Sequence, residues 1–161
     1  MAKIAMIGAG SIVFCKTLLN DMLGTPALEG STYALMSPTE TKLRRMEAFA
    51  NRMVKENGLN ATVYATTDRR EAIKDADYVV SMVQVGGVDA FKFDYEIPMK
   101  YGVDQCIGDS LGPGGVLRGL RSLPVMAGIL RDMEEVAKPG AILLNYTNPM
   151  AAVCLGLGRM S

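Results

Sequence analysis

Histidine and tryptophan are absent from the 161 residues. Without histidine the chain holds no Ser-His-Asp triad, no imidazole base and no histidine metal ligand. Cysteine is scarce: Cys15, Cys106 and Cys154 are odd in number and far apart. They suggest neither a disulfide framework nor metal-ligand spacing, so the simple reading is reduced thiols in the cytoplasm. Charge of one sign is also missing, because Lys plus Arg and Asp plus Glu number 17 each. That balance removes the electrostatic case for nucleic acid or an anionic membrane as a partner. No apolar run approaches the ~20 residues of a membrane-crossing helix. A single Lys and four apolar residues before a glycine turn do not make a secretory leader.

What is present suits a packed domain. Hydrophobic residues are 49% and charged residues 21% of the chain, which predicts a globular fold with one sizeable core. The first fifteen residues, MAKIAMIGAGSIVFC, organise the rest. Ile4–Ile7 is a short apolar run of the kind a strand buried on both faces shows. Gly8 and Gly10 then allow a sharp turn that can approach a ligand closely. The helix expected from Ser11 would aim unpaired N–H groups and its positive dipole end at that ligand. This is the first turn of a dinucleotide-binding fold, except that Val13 holds the place of the third fingerprint glycine. The alternative is a tight turn with no ligand.

Further along, strands are expected over residues 2–7, 31–36, 61–65, 76–83 and 141–145. Helices are expected at Ser11–Leu23, Thr41–Glu56 behind Thr39, Asp68–Lys74 capped by Asp68, part of Asp89–Tyr101 near Pro98, Val116–Ala137 and Met150–Met160. Pro124 should kink or break the fifth of these. Asp104–Gly115 reads as a long glycine-rich loop. Strand and helix alternate, which predicts an α/β fold: a Rossmann-like, doubly wound parallel sheet with helices on both faces. The whole of 1–161 reads as one dinucleotide-binding domain, cut from a longer protein.

In such a sheet, ligands sit beyond the carboxyl ends of the strands. Polar residues there are the candidates: Gly8, Gly10, Ser11 and Ile12 after the first strand, Ser37 after the second, Gln84 after the fourth, and Asn145 and Asn148 after the fifth. Ser37 stands where an acid usually binds the ribose hydroxyls, with Lys42, Arg44 and Arg45 just beyond. A serine does not repel a ribose 2′-phosphate, so NADP is open beside NAD; the three cations could equally be a solvated helix face. Asp109, between glycines, could act as a general acid or cap the helix starting near Gly114. Asn148 could cap the last helix or hold a sugar hydroxyl. Asp21, Asp94 and Glu96 read as solvated.

Together, IGAGS at Ile7–Ser11, DADYVV at Asp75–Val80, QVGG at Gln84–Gly87, GDSLGPGGVLRGLRSLP at Gly108–Pro124 and NYTNPM at Asn145–Met150 resemble the NAD-dependent family 4 glycoside hydrolases. Within them, the α-galactosidase branch is the most similar. That family also lacks the third fingerprint glycine. The resemblance implies a redox-neutral cycle in place of the two-carboxylate scheme. Hydride leaves carbon 3 of the sugar for NAD⁺, a base takes the carbon 2 proton, the aglycone is eliminated, water adds and the hydride returns. A divalent metal, typically Mn²⁺, steadies the enediolate in the full-length enzyme. Gly8, Gly10 and Ser11 would cradle the pyrophosphate. Ile12, Ser37, Gln84 and Asn145 would complete the cofactor contacts. Asp109 takes the place of the acid for the departing aglycone, and Asn148 that of a substrate-binding asparagine.

Gln84 stands where the phosphosugar branch tends to carry arginine, which favours an unphosphorylated α-galactoside. The family's metal ligands, a Cys and a His, fall beyond the Asn-Pro motif. The chain therefore carries no metal site and lacks the C-terminal metal and substrate domain. Cys154 is too close to Asn148 to be that ligand and reads as a buried helix residue. A homo-oligomer is implied for the full-length form. The alternatives are the cofactor domain of a lactate/malate-type dehydrogenase and a stand-alone nucleotide-binding module.

Overall fold

The structure is a computed structural model that describes residues 1–105 and 108–161. Cys106 lies outside the described residues. Five strands, β1 (Lys3–Ile7), β2 (Thr32–Met36), β3 (Thr62–Thr66), β4 (Tyr78–Ser81) and β5 (Ile142–Asn145), form one sheet in the order β3-β2-β1-β4-β5. The sheet is parallel with helices on both sides. In register, Lys3 pairs with Thr32, Ile4 with Tyr78, and Thr32 with Thr62. β1 is thus central, and Ile4, Ala5, Met6 and Ile7 are each no more than 2% exposed. Burial on both faces is why its sequence shows a run and not an alternation. β4 is shorter than its apolar stretch because its ladder with β1 spans only Tyr78 to Ser81.

The chain divides into two compact units, residues 1–82 with 132–144, and residues 83–131 with 145–161. In the first, Ile4, Met6, Tyr33, Leu35 and Val63 turn one sheet face toward α1 (Phe14–Leu23) and α2 (Glu40–Glu56). Cys15, Leu19 and Leu23 of α1 and Leu43, Met46 and Ala50 of α2 recur at helical spacing and complete that core. Burial pushes the Cys15 thiol up to about 12. α1 begins three residues later than its sequence suggests. The Ser11 hydroxyl accepts a hydrogen bond from the Phe14 N–H at 3.2 Å, a local bond that competes with helix. α2 follows Thr39 at the N-cap, yet its side chain makes no cap bond.

The other face of the sheet carries α3 (Arg69–Ile73), capped by Asp68, whose carboxylate accepts from the N–H groups of Arg70 and Glu71. Asp132 joins it by pairing with Arg69 at 2.5 Å and Arg70 at 3.0 Å. At the start of β4, Asp77 accepts from the Lys3 N–H and from Lys138 Nζ, each at 2.7 Å. Those bonds, Lys138 first, hold its carboxyl below the usual carboxylate range.

The second unit contains α4 (Gly87–Met99), most of α5 (Pro113–Val136) and α6 (Met150–Leu157). α5 starts at Pro113, so the glycine-rich loop is shorter than expected; a proline at the first helical position needs no N–H partner. It continues through Pro124 without a break. Two expectations fail here. Asp94 is not solvated but only 5% exposed, because it lies three residues from Phe91 and four from Pro98 on the inward face of α4. Cys154 is exposed, not buried. α6 is apolar nearly all round, so periodicity does not mark its inner face, and Val153 and Leu157 take it.

Candidate functional site

The first group of site residues belongs to the first unit. β1 ends at Ile7, and the N–H groups of Gly8 and Ala9 both donate to the Met36 carbonyl at 2.9 Å. Ser11 donates back to Gly8 O at 3.2 Å, and Cys15 to Ser11 O at 3.1 Å. Among the described residues, the N–H groups of Gly10, Ile12 and Val13 are left without a hydrogen-bond partner. Three free donors at the entry to α1 form the kind of cradle an anion occupies.

Gly8 has φ +97°, and a Cβ on it would lie 2.7 Å from the Met82 carbonyl oxygen. Gly10 is held by proximity instead: a Cβ there would stand 3.0 Å from Ser37 Oγ and 3.4 Å from Lys42 Cβ. The structure therefore brings the Gly8–Ser11 turn, Ser37 and Lys42 together. Ser37 is buried, and its hydroxyl accepts from the Thr39 N–H at 3.3 Å. The three unpaired N–H groups, on a turn that Gly8 and Gly10 keep free of side chains, fit a dinucleotide's pyrophosphate. Ile12 presents its N–H there while its side chain is exposed.

The second group belongs to the second unit. Asp109, in the loop before α5, accepts on one carboxylate oxygen from both Arg118 Nη1 at 2.6 Å and Asn148 Nδ2 at 3.1 Å. Asn148 also accepts from the Met150 N–H at 3.4 Å, so it serves the start of α6 and reaches Asp109 at once. The Asn148–Pro149 peptide is cis. Arg118 lies over the Phe91 ring, 6.0 Å from its centre. Phe91, Tyr95, Pro98 and Gln105 line a pocket together with Asp94 and Asp109. Asp109 and Asn148, far apart in sequence, are thus joined.

Gln84 is exposed and, among the described residues, donates only to the Gly87 carbonyl, at 3.5 Å. Asn145 bonds the backbone of Thr147 through both its oxygen and its nitrogen, at 2.9 and 3.0 Å. Thr147 Oγ1 in turn accepts from the Val83 N–H at 3.1 Å.

Sequence reasoning missed Arg118 and Arg121. They are the only charged residues of α5 before Arg131, and three residues apart they share one helix face. Arg121 pairs with Asp94 through both terminal guanidinium nitrogens, Nη1 at 2.7 Å, and donates from Nε to the Val85 carbonyl at 3.1 Å. Its hydrogen bonds to the Asp94 carboxylate raise the pKa of the Arg121 guanidinium. Isolated arginines on an otherwise apolar helix were the signal available. Among the described residues, no three His, Cys, Asp or Glu side chains gather to hold a metal, and no helix is long and apolar enough to cross a membrane.

Comparison with known proteins gives a consistent result. The family described as family 4 glycosyl hydrolase matches residues 3–161. An α-galactosidase of Rhizobium meliloti (strain 1021) is 49% identical over 92% of this chain and 30% of its own length. An α-galactosidase of Bacillus subtilis (strain 168) is 40% identical over 95% and 35%. The chain spans about a third of the length of these curated relatives. Among solved structures, a 6-phospho-α-glucosidase from gut microorganisms, in complex with NAD and glucose-6-phosphate, superposes with TM-score 0.87 at 25% identity, covering 99% of this chain and 36% of that one. A second such structure, in complex with NAD and Mn²⁺, gives 0.84 at 25% identity, covering 98% and 35%. A malate dehydrogenase of Plasmodium falciparum, 17% identical with TM-score 0.58 over 92% and 36%, shares the fold alone.

Proposed function

The chain belongs to the family 4 glycosyl hydrolases, and from that premise we propose that it is the NAD-binding part of an enzyme that cleaves α-galactosides by redox elimination. The observation that carries this reading is Asn148 Nδ2 within 3.1 Å of Asp109, an amide beside a carboxylate, which this reading assigns to the sugar and its leaving group. Identity to two α-galactosidases supports the sugar.

The roles follow from position. The N–H groups of Gly10 and Ile12, with the Gly8 bend and Ser11 behind them, hold the pyrophosphate. Ser37 faces the adenosine ribose. NAD, when bound, supplies a hydride acceptor that returns the hydride within the same turnover. Asp109 delivers a proton to the glycosidic oxygen as that bond breaks. Arg118 fixes the carboxylate's direction, and Asn148 holds a sugar hydroxyl. A divalent metal belongs to the full-length reaction in this reading, as in the NAD- and Mn²⁺-bound neighbour. The donor set described for this chain does not fit one. The C-terminal metal and substrate domain, a homo-oligomeric assembly and a cytoplasmic setting belong to the same proposal.

Asp109→Asn, in a chain extended to the length of its relatives, tests the assignment. A general acid contributes roughly 10²–10⁴-fold, and nitrophenolate leaves with little help. Turnover of an alkyl or sugar galactoside should fall by that amount, while a nitrophenyl galactoside loses little. Equal loss on both substrates would overturn the acid role.

A further inference from the structure

In dinucleotide folds the residue after the second strand decides how the adenosine ribose is read. A carboxylate there binds the 2′-hydroxyl and repels a 2′-phosphate, while a nearby cation accommodates the phosphate. Ser37 occupies that position here and carries no charge. The sole acid between Ser37 and Met46 is Glu40. It is turned to Arg44, 3.6 Å away. Arg44 is itself held by Glu47 at 3.0 Å and by the Ala65 carbonyl at 3.3 Å. Lys42 and Arg45 are exposed and make no ion pair among the described residues. Three residues apart, they lie on one face of α2. The stem of Lys42 and the hydroxyl of Ser37 both abut Gly10, at 3.4 and 3.0 Å from a Cβ built there. The anion cradle, an uncharged strand end and the stem of Lys42 therefore adjoin, with Arg45 one turn further along the same helix face.

We propose that this corner accepts a dinucleotide bearing a 2′-phosphate on its adenosine ribose as well as one without it, with Lys42 and Arg45 as the residues that admit the phosphate. The proposal rests on the Gly8–Ser11 turn being the pyrophosphate site. It goes beyond the NAD seen in the neighbouring structures.

Titration calorimetry with NAD⁺ and NADP⁺ tests it on the chain and on two variants. The parent should bind both with dissociation constants within about tenfold of each other. NADP⁺ affinity should fall more steeply with added salt, because its extra contact is between charges. The double variant K42M/R45M should bind NADP⁺ at least about tenfold more weakly and NAD⁺ unchanged within about twofold. S37D places a carboxylate against the phosphate, and like charges brought together are costly; NADP⁺ affinity should fall at least about tenfold more than NAD⁺ affinity. A cooperative melt at the parent's temperature shows that each variant is folded. NAD⁺ binding with NADP⁺ more than about a hundredfold weaker in the parent overturns the proposal alone. So does NADP⁺ binding indifferent to Lys42 and Arg45. Failure of the parent to bind either cofactor overturns the reading of the turn, and this proposal with it.

Discussion

Gly8 and Gly10 lie two residues apart and answer to different constraints. At Gly8 both the backbone angle and the Met82 carbonyl exclude a side chain. Gly8→Ala should therefore cost about 1–3 kcal/mol of stability, read as a lower melting temperature. Gly10 has no positive φ, and the atoms near its would-be Cβ belong to side chains. Gly10→Ala should melt close to the parent yet bind NAD⁺ far more weakly, since the methyl group would crowd the approach between the turn and Ser37. A Gly10→Ala protein with parental NAD⁺ affinity would show that the turn is not the cofactor site. Both glycines were legible in the sequence because they follow an apolar run directly. Asp94 and Cys154 were not, for opposite reasons. An aspartate is read as solvated unless its partner is known, and Arg121 lies 27 positions away. Cys154 sits on a helix whose apolar residues surround it, so no stripe marks the buried side.

The same contrast holds for whole elements. Each strand is found within about two residues of its expected place; in β1, β2 and β4 burial on two faces leaves little choice of residue, whereas β3 and β5 are partly exposed and are marked by the turns before them, Asn57-Gly58 and Pro139-Gly140. Helix starts were harder, because a local hydroxyl bond at Ser11 and a proline start at Pro113 moved α1 and α5 in opposite directions. How α4 and α5 meet was not legible at all, since it depends on which charge finds which. Arg121 ties the buried Asp94 of α4 to α5 and holds the Val85 carbonyl in the loop that carries Gln84. Removing one partner of a buried pair leaves the other uncompensated, at about 3–5 kcal/mol. Arg121→Met should lose an amount of that order in urea unfolding. Replacing both residues with apolar ones should recover part of it. A loss below about 0.5 kcal/mol, the range of ordinary surface changes, would mean that the pair does not hold the helices.

At the scale of the whole chain, sheet order was predictable only as a class: alternation of strands and helices implies parallel pairing with crossovers, not which strand lies in the middle. The structure puts the first strand there, with β2 on one side and β4 on the other. That placement has a kinetic side. Lys3 finds Thr32 by closing a short loop, whereas Ile4 must wait for Tyr78. Closing the longer loop costs more entropy, and non-local pairing slows folding. The β1–β2 pair should accordingly form in the rate-limiting step, and β4 should join after it. Leu35→Ala in β2 and Val80→Ala in β4 both cut into the same buried core. In stopped-flow refolding, the first should slow folding and the second should mainly speed unfolding. The reverse pattern would mean that the chain waits for its fourth strand before committing to its first two.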